Sequence, residues 1–413
     1  MLRILSIILC FVVYSQAVEV DEFFSKGKYD LKLRLSYEYS DLKNSNVSPG
    51  KGLTLSSYIG YRTAELEGFS LYAQFHNLWK IDDHYNDLRA KYAGDYDEIA
   101  DPDGSRLQQL YGDFTQIPDT KIRLGRQELL LDDVRFIGNI GWRQTAQAFD
   151  AVTLTNKSIK DTTIFLGYSE SVATILFKEN EYDGFFLGNI KYGGIEGHTQ
   201  TLFAYLVDAD EKERYVGPSV RHDVATYGTR FTGGFDALKY DLTYAYQTDW
   251  KDTENLNHHF FQGALSYTMG KWTPAIGYSY IDGADQPGER AFSTLFSTAH
   301  KYNGWADQFL STNAGGLANG LQDFNVSLTY KNWGTTFKFI YHYFDTTEDH
   351  TFGSAYGQEF DFLVTRKFGK NLTATAKVAF YDEFSSAGNP TTDEIVFWLR
   401  LDYALSGTIE DVF

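Results

Sequence analysis

The chain has 413 residues, with 37 Lys+Arg against 55 Asp+Glu and a formal net charge of −18 at pH 7. A single cysteine excludes a disulfide-stapled domain, and a mean hydropathy of −0.35 leaves no room for a bundle of apolar membrane helices. The acidity argues against a nucleic-acid partner, and 17% aromatic residues is too many for a disordered chain.

At the N-terminus, Met1-Leu2-Arg3, the apolar stretch Ile4 to Tyr14 and Ser15-Gln16-Ala17 read as a signal peptide over 1–17. That stretch is too short to cross a bilayer, which takes roughly 20 residues. Cys10 follows Leu9, where a lipidation signal wants a small residue. The mature chain, 18–413, is expected to form one domain.

From there on the chain reads as strands. Tyr29, Leu31, Leu33, Leu35, Tyr37 and Tyr39 alternate with Asp30, Lys32, Arg34, Ser36 and Glu38, so the two sets lie on opposite faces of one strand. The pattern returns at Leu238–Tyr246, Phe324–Tyr330, Phe337–Tyr343, Leu372–Phe380 and Ile395–Tyr403. Eighteen such segments occur, near 28–40, 52–63, 69–80, 107–116, 120–131, 145–155, 162–169, 184–192, 198–208, 225–232, 238–249, 258–269, 272–281, 322–330, 335–344, 357–367, 372–382 and 394–404. Connections from even to odd segments are short, such as Gly270-Lys271. Those from odd to even are longer, such as 81–106, 132–144 and 282–321. Alternation of tight turns with long loops predicts a transmembrane antiparallel β-barrel of about eighteen strands, turns in the periplasm and loops outside. A soluble sandwich has no reason to alternate its loop lengths. A strand in hydrocarbon cannot leave backbone groups unpaired, so the sheet must close. At this strand number the interior is wider than side chains can fill. The expectation is therefore an outer-membrane channel with no cofactor, whose partners are lipid, lipopolysaccharide and a hydrophilic solute.

Predicted lumen positions carry Lys32, Arg34, Arg62, Lys80, Lys191, Arg230, Lys239, Lys338, Lys377 and Arg400. Asp30, Glu38, Asp113, Asp241, Asp323, Asp361 and Asp402 share those faces. A hydrated wall of mixed sign suits a general porin, while a run of arginines suits carboxylate, which guanidinium grips in a bidentate fork.

The most specific local text is 121–155. It holds a strand ending Gly125-Arg126-Gln127, a charged loop with Arg135, then Trp142-Arg143, then a strand opening Phe149-Asp150-Ala151-Val152. This stretch resembles the alginate export family of outer-membrane porins. The resemblance implies an eighteen-stranded channel with a narrow, arginine-rich lumen that passes an anionic polysaccharide. With Ile122 and Leu124 facing lipid, Arg123 and Gln127 face the lumen. Arg126 points outward unless a bulge shifts the register. The loop 132–144 is long enough to fold inward and bring Arg135 and Arg143 with it. The candidate solute-contacting residues are thus Arg123, Arg126, Gln127, Arg135, Arg143, Lys32, Arg34, Arg62, Arg230 and Lys338.

Other readings compete. Loops 81–106 and 282–321 could form an adhesin-like surface. An outer-membrane hydrolase would need a serine and a histidine on one strand face with an orienting partner, and none is evident in the sequence. The acidic residues of 81–106 read as solvated surface charge, since Asp101-Pro102-Asp103-Gly104 lacks the rest of a calcium loop. His258-His259 reads as a strand start. Phe413 fits the aromatic ending of many barrels but lies several residues past the last clear strand.

Overall fold

The computed structural model describes residues 17–408 apart from 44–45, 90, 210–219, 252–255, 287–288, 311–315, 350–354 and 385–387. The expected signal sequence up to residue 16 and the terminal Phe413 lie outside the described residues. Eighteen strands follow a short helix, α1 (Ala17–Ser25). They are β1 (Lys28–Leu42), β2 (Gly50–Arg62), β3 (Phe69–His84), β4 (Gly104–Phe114), β5 (Thr120–Gln127), β6 (Ala148–Asn156), β7 (Thr162–Ala173), β8 (Glu179–Ile195) and β9 (His198–Asp208). The second half comprises β10 (Val224–Phe235), β11 (Leu238–Asp249), β12 (His258–Tyr267), β13 (Trp272–Ile281), β14 (Leu321–Asn332), β15 (Thr335–Asp345), β16 (Gly357–Phe368), β17 (Leu372–Glu383) and β18 (Glu394–Thr408). Each strand pairs antiparallel with its chain neighbours, and β1 pairs with β18 from Lys28↔Thr408 to Leu42↔Glu394. The sheet is therefore a closed barrel with no free edge, as lipid requires.

Alternation along the strands decides what faces out. Ile59, Trp79, Leu166 and Ile276 are 59%, 61%, 52% and 58% exposed, and they belong to an outward apolar band. Among the described residues no helix is long and apolar enough to cross a membrane, so the crossing is made by these strands. On the opposite face Ser36, Glu38, Thr54, Ser56, Gln74 and His76 are buried. Polar side chains lining an open tube would be wet, so something fills the tube beside them.

Two departures from the expected strand limits change a connection. The strands β7 and β8 run on to Ala173 and back to Glu179, shrinking the expected 170–183 loop to five residues. In that extension Glu179, Glu181 and Asp183 point outward and are exposed, whereas Asn180 and Tyr182 are buried. The alternation persists, but its outward members are charged because the strands have risen past the lipid. The strand β5 ends at Gln127, earlier than expected, because Glu128 leaves the wall and donates its N–H to Gln109 Oε1 at 3.2 Å.

Gly125, one step before that departure, has φ +127°, and a Cβ there would lie 2.2 Å from the Leu110 carbonyl oxygen. Only glycine takes this conformation without strain. At the short-turn end, α1 docks by Phe23, which is buried and stacks on Phe69 at 6.1 Å.

Candidate functional site

The connection 128–147 folds into the barrel, and the strand side chains dictate where it lies. Arg34 on β1 donates from Nη1 to three successive carbonyls, of Gly141, Trp142 and Arg143, at 3.2, 3.2 and 3.0 Å. Its Nε meanwhile pairs with Asp402 of β18 at 2.6 Å. Arg400 donates to the Trp142 carbonyl at 2.5 Å and to Ser36 Oγ at 3.1 Å. Carbonyls brought out of water need donors, and these two arginines supply them. Arg143 turns its own guanidinium onto both oxygens of Glu38 at 2.9 and 2.8 Å. Gln144 reaches Thr54 Oγ1 at 2.7 Å, and Thr145 Oγ1 meets His76 Nε2 at 3.0 Å. Burial pulls the Arg143 guanidinium down, but Glu38 and Asp101 outweigh it and hold its pKa above the usual arginine value.

The second long connection, 282–320, enters from the other side and packs on the first. Gly138 N–H donates to the Phe296 carbonyl at 2.9 Å, and Ile140 N–H to Thr298 Oγ1 at 3.1 Å. Residues 291–300 are buried throughout. Phe292 and Phe296 fill an apolar cluster with Phe149, Phe185 and Phe260.

Where the loops meet β17 and β18, His300 stacks on Trp142 with ring planes 3° apart. Its Nδ1 meets Asp307 at 2.8 Å, and Lys377 donates to its Nε2. The Lys377 ammonium also sits 4.3, 4.6 and 4.2 Å from the rings of Trp142, Trp305 and Trp398. Burial, reinforced by Lys377, Arg143 and Arg400, holds the imidazole well below its usual pKa, so it is neutral. Burial pushes the Asp307 carboxyl up to about 7, against the lowering pull of Arg143 and Lys377.

Beside these contacts lie two lumenal cavities lined by described residues. One, of about 180 Å³, lies beneath the first loop and is lined by Lys32, Arg34, Tyr58, Glu128, Asn139 and Asp402 among others. The other, of about 220 Å³, lies against β11–β15. The wall near the first interleaves cations with carboxylates, among them Asp30, which accepts from Tyr72 and Gln74. Arg62 and Arg123 share the single carboxylate of Asp113, at 3.1 Å for Arg62 and 2.6 Å for Arg123. Both also pack on the Tyr111 ring, at 5.4 and 3.7 Å. The second wall holds Arg230 with Asp241 at 2.5 Å and His342 with Asp323 at 2.8 Å.

The family model described as alginate export matches residues 30–382. The chain belongs to that family.

No curated protein matches the chain by sequence. Solved outer-membrane proteins share the fold at low identity. Pseudomonas aeruginosa OccK5 (OpdH) has a TM-score of 0.69 at 16% identity, over 93% of this chain and 99% of that one. Pseudomonas aeruginosa OpdK with vanillate has 0.68 at 14%, over 93% and 100%. Acinetobacter baumannii OccAB2 has 0.69 at 17%, over 93% and 99%. This alginate export family member is thus an outer-membrane, porin-like β-barrel.

Within that barrel the ten expected solute-contacting residues separate. Lys32 and Arg34 line the first cavity and Lys338 the second. Arg62, Arg123 and Arg230 face the lumen in ion pairs. Arg143 lines that first cavity as well, and the remaining three need correction as contact residues. No bulge shifts β5, so Arg126 keeps the outward face of Leu124 and pairs with Asp150 at 2.7 Å and Glu179 at 2.5 Å. Gln127 is 1% exposed and spends its amide on Gly125, Ala151 and Thr153. Arg143 is locked to Glu38. Arg135, 1% exposed, donates to Asn303 Oδ1 at 3.3 Å and lies 5.0 and 4.5 Å from the rings of Phe260 and Tyr302. Burial lowers its pKa to about 10. Both loop arginines thus tie the inward loop to its surroundings, Arg143 to β1 and Arg135 to the second loop.

Sequence reasoning missed the second inward loop, 282–320, which it left at the surface. The signal was there in Ala291-Phe292-Ser293-Thr294-Leu295-Phe296, too apolar for a solvated loop. The acidic loop is also less solvated than expected. Asp87, Asp97 and Asp101 are buried, with Asp87 on Lys80 at 2.8 Å and Asp101 accepting Gln144 N–H at 3.1 Å. Burial pushes the Asp97 carboxyl up to about 6. Among the described residues no cluster of three or more His, Cys, Asp and Glu is placed to hold a metal ion.

Proposed function

We propose that the channel is a passive path for small carboxylate-bearing anions, drawn along the wall formed by β1–β5 and β18. The observation that carries this reading is the pairing of two guanidiniums with one carboxylate. Arg62 and Arg123 have one carboxylate between them, and Lys32, on the first cavity, makes no ion pair among the described residues. Low-dielectric walls focus such an excess and raise the local concentration of anions. Arginine's planar fork suits carboxylate better than a point cation does. The family description, alginate export, names a carboxylated polymer, and the OpdK crystal structure contains vanillate, itself a carboxylate. Export of a uronate-type chain uses the same wall, one carboxylate after another. Arg135 acts indirectly, by holding the loops that narrow the path, and Arg143 does so while also lining the first cavity. In the outer leaflet the barrel meets lipopolysaccharide.

Competition tests this reading. Acetate and a short uronate oligomer, added to one side of a bilayer holding the protein, should depress chloride current in a saturable way. Replacing Arg62 and Arg123 with alanine should remove that saturation. A current that falls only in proportion to viscosity, equally in both proteins, counts against the proposal.

A further inference from the structure

The second cavity, of about 220 Å³, lies across the lumen from the cationic wall and shares none of its lining residues with the first. Its ionisable lining is balanced, with Asp133, Asp241 and Asp323 against Lys301, Lys338 and His342. Most of these groups answer one another. Asp241 takes Arg230 in a fork, at 2.9 and 2.5 Å. Asp323 Oδ1 takes His342 Nδ1 at 2.8 Å and the Asn325 amide at 3.3 Å. The Asp133 carbonyl accepts Lys301 Nζ at 2.7 Å.

Three lining groups are left over. Gln262 gives its Nε2 to Asp133 at 3.4 Å, while its Oε1 has no donor among the described residues. Ser279 is 5% exposed and its Oγ has no partner among the described residues either. Lys338 makes no ion pair among the described residues. The first two are not scattered. Gln262 pairs across strands with Ser279, and Ser279 with Asp323, so they form one lumenal row ending in a carboxylate. A buried polar atom without a partner is costly, and here an amide oxygen that can only accept and a hydroxyl lie side by side at a cavity wall. The row calls for a ligand group rich in donors. The carboxylates of Asp323, Asp241 and Asp133 around it favour a cationic donor over a neutral hydroxyl. Lys338, on the same cavity, calls for an anion.

From this arrangement we infer that the cavity is a second solute subsite, built for a small amino-acid zwitterion. The ammonium lies on the Gln262–Ser279–Asp323 row, and the carboxylate turns to Lys338. The inference rests on the lumen being a solute path, and it is independent of the anion preference of the opposite wall.

Serine, glycerate and ethanolamine test it, because the last two each differ from serine by one charged group. Each is titrated at neutral pH onto the full-length protein in a planar bilayer while single-channel current is recorded. Serine should block saturably, with a half-blocking concentration about tenfold below that of glycerate or of ethanolamine, the effect of one charge-assisted hydrogen bond. Lys338→Met should bring serine to the level of ethanolamine. Ser279→Ala, a one-atom deletion that leaves the wall intact, should weaken serine block about threefold. Heat-modified gel mobility verifies that each variant is folded. Arg62→Ala/Arg123→Ala should retain serine block while losing anion preference, which separates this site from the anion path. Equal block by all three solutes, no block by serine, or block indifferent to Lys338 and Ser279 overturns the subsite. So does loss of serine block in the Arg62/Arg123 variant.

Discussion

Arg143 and Arg135 both sit in the inward loop, yet their removal should have unequal effects. Arg143→Ala takes the cation from Glu38, which is 4% exposed and holds that cation with both oxygens. Breaking a buried pair by removing one partner costs about 3–5 kcal/mol. Even the lower figure, applied to the equilibrium between docked and undocked loop, raises the undocked population roughly 150-fold. The Arg135 guanidinium makes one hydrogen bond, and its Nε and Nη1 have no partner among the described residues. Replacing it with methionine removes about 1 kcal/mol of ring contact but also an unpaired buried charge, so the two nearly cancel. The assay is single-channel conductance and open-channel noise. Arg143→Ala should show a larger mean conductance and frequent transitions between levels, and Arg135→Met should resemble the parent. Adding Glu38→Gln to Arg143→Ala should recover part of the loss, because the orphaned carboxylate disappears. If Arg143→Ala conducts as the parent does, or if Arg135→Met has the larger effect, the reasoning fails.

Other outcomes follow from the same geometry. Arg126→Ala should leave conductance and selectivity unchanged, because its partners Asp150 and Glu179 lie with it on the outer face; a change in reversal potential would place it in the lumen after all. Gly125→Val should impair barrel assembly, read as loss of heat-modifiable mobility, because its Cβ would meet the Leu110 oxygen at 2.2 Å. Acidity acts on loop docking through two groups of opposite sign. Asp307, raised to about 7, binds a proton more tightly in the docked state, so docking strengthens as pH falls from 7 towards its undocked value near 4. His300, held neutral, contributes docking stability that is present above its ordinary pKa of 6.5 and lost as pH falls below it. The slopes oppose in the parent. Asp307→Asn should unmask the histidine, giving conductance that rises on acidification below 6.5; a flat profile in that variant would refute this.

The barrel was legible in the sequence because lipid acts on every second residue. Tyr29 to Tyr39, or Leu372 to Phe380, alternate so strictly that face and pairing follow from the period alone. Even the faint segments near 107–116 and 162–169 are strands, β4 and β7. His258 opens β12, as read. What failed to show was the use made of the lumen. Arg34 reads as a lumenal cation, which it is. That its Nη1 would hold three carbonyls of a loop more than a hundred residues away has no local trace. Arg126 and Arg143 look alike in the motif, but one meets carboxylates outside the wall and the other a carboxylate inside. Those partners are set by barrel closure and loop docking, which are long-range. The burial of 291–300 had a signal in its apolar text, masked by the expectation that long loops of a barrel face water.

The measurement that bears most directly on this account is the zero-current potential across a bilayer separating unequal concentrations of potassium chloride. With Arg62 and Arg123 sharing one carboxylate, the potential should take the sign set by chloride and fall towards zero in Arg62→Ala/Arg123→Ala. A potential of the opposite sign, or one indifferent to those two arginines, would contradict it.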